Sequence, residues 1–550
     1  MRRHALARAS LCLMLVGGAG ARAQAPARHS AAAPTYQPGI DVTDYDISLE
    51  LPDTGSFLRG DVTVTLVHAA TVNRLRLDLV NALTVRSVEV DGRAVDAMHA
   101  ANKIDIPLDG TRDTVRVRVV YAGAVSDGLV VRKDSHGRWT WFGDNWPDRA
   151  RQWLPTVDHP SDKATVTWTI VAPPERTVVG NGEFVSAKKV TVRGTSLRET
   201  KWRESRPIAP YLMVIAAGPL ERFDIREPDC HYGDQGQCVR QSVYVMPEHR
   251  KWLPGPFLSV GPIMSFFERL VGPFPYEKLA HLQSSTRFGG MENASNIFYD
   301  DKLIATHAIK DDIIAHEMAH QWFGDAVTER EWSDAWLSEG FATYFAALWT
   351  RFIRGDASFH TEMADIKKQV MASAIVASRP VIDTAQKDYM QLLNANSYQK
   401  GGYILYMLNE RMGDSAFFAS LRSYQNVYRH GTALSDDLRR EMEKASGQSL
   451  GQFFQQWLRQ PGVPEPTIGW AHDPATGTVS LFVLQDSARG PYELPMPVVI
   501  TDAAGATKRM VVQVPAEARA TIPLPGVYAL KPRGITFDPD RELLARTGHM

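Results

Sequence analysis

His316 and His320 stand four positions apart in Ala315-His316-Glu317-Met318-Ala319-His320-Gln321-Trp322, an apolar stretch with helical spacing. On an α-helix, four positions leave two side chains about 40° apart in azimuth and one turn apart along the axis. Two imidazoles so placed reach one metal ion, and Glu317 projects onto the neighbouring face, close enough to hold a water there. Glu339 follows His320 after eighteen residues, a gap that a loop and a returning helix fill. Two histidines and a glutamate leave the fourth position of a tetrahedral ion open, which is the coordination of a catalytic zinc and not of a closed structural one. The expected chemistry is hydrolysis, with one Zn2+ per chain held by His316, His320 and Glu339, and Glu317 as general base.

Two further segments carry weaker signals. Phe288-Gly289-Gly290-Met291-Glu292-Asn293 places a carboxylate beside two glycines, which permit a ligand to approach the backbone closely. Phe288 abuts that pair, where it either shapes a pocket or packs in the core. Ser397-Tyr398-Gln399-Lys400-Gly401-Gly402 sets a tyrosine at a helix start before another glycine pair. Taken alone, each points more to packing or a strand bend than to chemistry, and a packing role is the usual one for such a tyrosine.

Together, GGMEN at 289–293, HExxH-x18-E at 316–339 and SYxKGG at 397–402 resemble the aminopeptidase N family of zinc metallopeptidases, gluzincins that include leukotriene hydrolases. Phe453-Phe454, Trp457 and Gln460-Pro461-Gly462-Val463-Pro464 also fit. Before 223 the likeness is looser: Ala150-Arg151-Gln152-Trp153-Leu154-Pro155 and Asp158-His159-Pro160 are similar to the family's ARxWFPCxDEP segment. The resemblance implies an N-terminal β-saddle, a thermolysin-like catalytic domain and a small C-terminal β-sandwich, a three-domain form without the large helical C-terminal domain of many members. It implies that Tyr398 stabilises the tetrahedral intermediate and that Glu292 holds the substrate's free α-amino group. Gly289, Gly290, Met291 and Asn293 would complete the substrate-binding segment.

There is one departure. Many members carry a second amine-binding Glu or Gln just before ARxWFP, and the matching position here is Trp146, in Asp144-Asn145-Trp146-Pro147. That role is either vacant or displaced to Asp144 or Asn145.

The elements that must position these groups follow from periodicity. Between 36 and 223, runs such as 61–66 and 114–119 alternate apolar and polar residues, the mark of an antiparallel sheet with one wet face. From 224 to 464 the apolar spacing turns to three and four, predicting helices over 257–270, 311–323, 334–352, 398–411, 415–428 and 434–445. From 465 to 550 strand-like alternation returns. The fold class expected is multidomain α+β, with a β-saddle or sandwich, a mostly helical catalytic domain and a C-terminal β-sandwich. A length of 550 residues agrees with several domains. The balance of 61 basic against 62 acidic residues provides no positive field for nucleic acid.

Residues 1–23 read as a signal peptide: Arg2, Arg3 and Arg8, an apolar stretch over 9–20, then Ala21-Arg22-Ala23 as the cleavage site. No later apolar run is long enough for a membrane span. The expectation is export to the periplasm or beyond, with 24–35 as a disordered leader. Cys12 would leave with the signal, and Cys230 and Cys238, with seven residues between them, would form a disulfide in that compartment.

The activity expected is a zinc aminopeptidase acting on peptides with a free N-terminus. The same site without that register would serve an endopeptidase or an epoxide hydrolase. A zinc-bearing binding or scaffold protein without catalysis is a different class, and would need neither Glu317 nor Tyr398.

Overall fold

The computed structural model of the protein describes residues 36–549 apart from 110–113, 226–230, 235, 487–489 and 541–542. The segments expected as signal peptide and leader, and Cys230, lie outside the described residues. Cys238 is disulfide-bonded.

The alternating runs of the first part build an eight-stranded sheet. Its order is Glu183–Val192, Thr195–Ile208, Ala164–Ala172, Ile40–Glu50, Phe57–His68, Thr114–Ala124, Thr84–Val90 and Arg93–Ala94. In Thr114–Ala124, Val115, Val117 and Val119 are buried while Arg116 and Arg118 face water, as a two-residue period requires. The sheet is not wholly antiparallel. Ile40–Glu50 pairs in parallel with Ala164–Ala172, which the more than one hundred intervening residues permit and a hairpin would not. A four-stranded sheet, Thr177–Gly180, Ile215–Gly218, Trp139–Gly143 and Leu129–Lys133, carries the Asp144–Trp146 segment at the end of its third strand.

The second part opens with a sheet, not a helix. Glu221–Asp224, Cys238–Val245, Lys278–Ser284, Asn296–Asp300 and Gly290–Met291 lie in that order. The three central strands are parallel and the last is an antiparallel edge. The boundary expected at 223 therefore falls inside a strand: alternation reveals a strand but not which sheet it joins. Lys278–Ser284 is buried along its whole length, so it shows no alternation for a sequence reading to find.

Helix Asp311–His320 packs beside the edge strand of this sheet, Trp336–Arg354 packs on that helix, and Asp356–Ala372 and Gly401–Met412 pack on Trp336–Arg354. The glycine pair after Tyr398, Gly401 and Gly402, serves helix packing. A Cβ on Gly401 would lie 3.1 Å from Gly340 Cα, and one on Gly402 2.9 Å from Thr343 Cγ2. Absence of side chains on both helices lets them touch backbone to backbone, which seats the preceding turn, Asn396–Lys400, over the zinc-motif helix. Beyond Arg459 the described residues contain strands and no helix, in two facing sheets of four and three strands. Lys163, on the N-terminal β domain, donates from Nζ to the carbonyls of Asp325, Ala326 and Gly431, fixing that domain against the loop that follows His320.

Candidate active site

Asp311–His320 begins with Asp311 and Asp312 in its first turn, where the helix dipole favours acids. It ends at His320, and the chain reverses through Gly324 at φ 119°, a region that side chains rarely adopt. A Cβ there would lie 2.2 Å from Ser338 Oγ. The glycine thus lets Ser338 approach His320 Nδ1 to 2.8 Å, while Phe323 O lies 3.2 Å from the same nitrogen. In the tautomer that donates Nδ1–H to the Phe323 carbonyl, the Nε2 lone pair points the other way.

That lone pair meets two others. His320 Nε2 lies 3.2 Å from His316 Nε2, and Glu339 Oε2 lies 3.4 Å from each. Glu339 comes from the first turn of Trp336–Arg354. Its Oε2 is buried without a well-aligned hydrogen-bond donor. Three electron-pair donors converging at this spacing, one of them orphaned, fit a single divalent cation.

Glu317 is buried against the edge strand Gly290–Met291. A Cβ on Gly290 would lie 2.0 Å from Glu317 Oε1, so the second glycine of the GGMEN segment makes room for the carboxylate. Ligand atoms of Glu292, Glu317 and His320 lie within 4.8 Å of one another. Gln321 fixes the Glu292 segment: its Nε2 donates to Glu292 O at 2.6 Å and to Asp325 Oδ2 at 2.8 Å, and its Oε1 accepts from Ser295 N–H at 2.9 Å. Tyr398 lies with its ring parallel to His316, centroids 5.9 Å apart.

Burial pushes the Glu317 carboxyl well above the usual carboxylate range; His320 opposes this while Glu292 and Glu339 add to it. Burial, with Glu339 contributing, also raises Glu292. Glu339 is the exception: burial acts to raise it, but the adjoining imidazoles, His320 foremost and then His316, hold it down at about 2. Burial acts to lower His320, but the carboxylates of Glu292 and Glu339 push it well above its ordinary value. Three carboxylates thus compete for positive charge in a dry site, which a dication would supply. Burial, then Glu339 and Glu292, pushes the Tyr398 phenol well above its ordinary value, so it keeps its proton as a donor.

Two cavities meet at this centre. One, of about 700 Å3, is an open cleft reaching Gly289, Gly290, His316, Glu317 and Tyr398. The other, of about 40 Å3, is lined on the far side by Trp146, Phe288, Met291, Glu292 and Leu393. Asn293, expected beside substrate, is fully buried and lines neither. Asp144 and Asn145 are committed elsewhere. Asp144 accepts from Arg149 Nη2 at 2.9 Å and Arg287 Nε at 3.0 Å. Asn145 donates to Met213 O and accepts from Trp153 Nε1, both at 2.7 Å. Trp146 itself faces the cavity. Ser338 and Gln321 carry no spacing signal and were not legible in the sequence, although each adjoins a motif residue.

Comparison with known proteins matches this arrangement to a family. The Peptidase M1 N-terminal domain model covers residues 42–212 and the Peptidase family M1 domain model residues 259–457. The chain belongs to peptidase family M1, a family of peptide hydrolases. Among curated relatives, Probable aminopeptidase 2 of Sulfurisphaera tokodaii is 24% identical over 454 residues, 77% of this chain and 54% of that protein. Aminopeptidase N of Streptomyces lividans is 26% identical over 481 residues, 82% of this chain and 53% of that protein. The chain spans about half the length of the curated relatives it matches. An M1 zinc metallopeptidase of Deinococcus radiodurans has a similar structure, with a TM-score of 0.67 and 27% identity over 78% of this chain and 95% of that one.

Proposed function

We propose that the chain is a zinc aminopeptidase, removing the first residue from peptides with a free N-terminus. The observation that carries this reading is the asymmetry of the site. Glu292 lines a narrow recess of about 40 Å3 that also holds the metal-facing donors, and a cleft of about 700 Å3 opens beside Glu317 and Tyr398. Only a short stretch of substrate fits before the reacting bond, and a long one fits after it.

In this reading His316, His320 and Glu339 hold one Zn2+. Bound zinc supplies Lewis acidity, polarising the scissile carbonyl and making water a stronger acid. Glu317 takes the proton of the attacking water and passes it to the leaving amine. Glu292 pairs with the substrate's α-ammonium, which fixes the register one residue from the end; a blocked terminus would leave that buried carboxylate unpaired. The Tyr398 hydroxyl donates to the developing oxyanion.

Register is tested by Glu292→Ala, assayed on aminoacyl amides with free and acetylated N-termini. The free-amine substrates should lose far more kcat/KM than the acetylated ones. Equal losses would mean that Glu292 does not read the amine. Tyr398→Phe keeps the ring against His316, so zinc content and Tm should hold while kcat falls by roughly 10²–10³ with KM within a few-fold. A fully active Tyr398→Phe would remove that hydroxyl from the mechanism.

The amino-terminal pattern supports export to the periplasm or beyond. No helix among the described residues is long and apolar enough to cross a membrane. Intact mass of the exported protein should give a chain beginning at Gln24; retention of residues 1–23 would refute cleavage there.

A further inference from the structure

Trp146 forms one wall of the narrow recess beside Glu292. Phe288, Met291 and Leu393 line the same side, so the space away from the metal ligands is apolar. The indole is fixed on every side. Trp146 is 4% exposed, and its ring meets Trp332 edge-on at 5.4 Å and Phe288 at 6.4 Å. Trp332 is in turn backed by Tyr211 at 5.3 Å and Tyr389 at 5.8 Å. The Trp146 carbonyl accepts from Arg149 Nε at 2.8 Å. The preceding residues are anchored by the Asp144 pairs with Arg149 and Arg287 and by the bonds of Asn145 to Met213 and Trp153. These ring contacts and the anchored backbone hold the indole where it stands. The recess it walls, shared with the metal-facing donors, is about 40 Å3, room for about three waters at roughly 10–15 Å3 each.

We infer that Trp146 sets the size limit for the first residue, so that this chain takes peptides beginning with a small uncharged residue such as glycine, alanine or serine. The inference rests on the aminopeptidase reading and names the substrate class of that site. A rigid wall rejects added bulk because the core cannot absorb overpacking. A misfit methylene in such a pocket changes kcat/KM by about 10–200-fold. The apolar lining offers no partner for a charged first side chain, which would be desolvated without compensation.

The test is kcat/KM for the p-nitroanilides of alanine, leucine, phenylalanine and arginine, on wild type, Trp146→Ala and Trp146→Phe, with Tm measured on each. Calorimetric binding of alaninamide and phenylalaninamide to Glu317→Gln, with and without Trp146→Phe, gives a readout independent of turnover. Wild type should favour alanine over phenylalanine and arginine by at least about tenfold. Trp146→Ala should raise phenylalanine relative to alanine by at least about tenfold, and Trp146→Phe should move the ratio in the same direction, in both hydrolysis and binding. Should Trp146→Ala fail to fold, the wild-type panel and Trp146→Phe decide. Wild type that hydrolyses phenylalanine or arginine as fast as alanine overturns the size limit and leaves the aminopeptidase reading intact. Trp146 variants that keep the wild-type ratios show that the wall lies elsewhere. Wild type with no activity on any of the four overturns the aminopeptidase reading, and the inference with it.

Discussion

Glu317→Gln is expected to keep its zinc and lose turnover by about 10²–10⁴-fold, the usual worth of a positioned general base. The substitution is nearly isosteric, and the side chain sits in a fitted space against Gly290, so it leaves no cavity and Tm should move little. The donor atoms that lie 3.2–3.4 Å apart belong to His316, His320 and Glu339, while Glu317 groups more loosely, within 4.8 Å, with Glu292 and His320. An amide in its place cannot accept the proton of an attacking water. Zinc per chain, kcat and Tm measured on one preparation separate the roles. Stoichiometric loss of zinc would make Glu317 a ligand and not a base.

His320→Ala and Glu339→Ala should each lose zinc and activity together. Each removes one of three donors at 3.2–3.4 Å from one another. Ser338→Ala sets a scale. It leaves all three donors and removes only the hydroxyl at His320 Nδ1. Outer groups of this kind are worth about 10–100-fold in metal affinity. The ligand variants should exceed Ser338→Ala in that measure. Competition with a chelator of known zinc affinity reads both. A Glu339→Ala protein that binds zinc as tightly as wild type would remove Glu339 from the set.

The metal-facing residues were legible because a helix imposes its period on them. His316 and His320 must be four apart to meet, and Glu339 lies in the first turn of the returning helix. The strand-rich first domain was legible where one face is wet, as in Thr114–Ala124. The wholly buried strand Lys278–Ser284 gave no period to read. The helices Asp356–Ala372 and Gly451–Arg459 were not expected either. The roles of single glycines were hidden, because what a missing Cβ makes room for is a contact from elsewhere in the chain. Gly324 accommodates Ser338, Gly290 accommodates Glu317, and Gly401 accommodates Gly340. The commitment of Asp144 to Arg149 and Arg287 depends on a partner 143 residues away, which spacing cannot reveal.

The most direct test of the account is the mass of the products from one unblocked peptide beginning with alanine, compared with its N-acetylated form. The account predicts that the unblocked peptide loses its first residue and then shortens one residue at a time, that the acetylated form survives, and that a chelator stops the reaction until zinc is restored. Internal fragments from both forms, or shortening that persists without zinc, would contradict it.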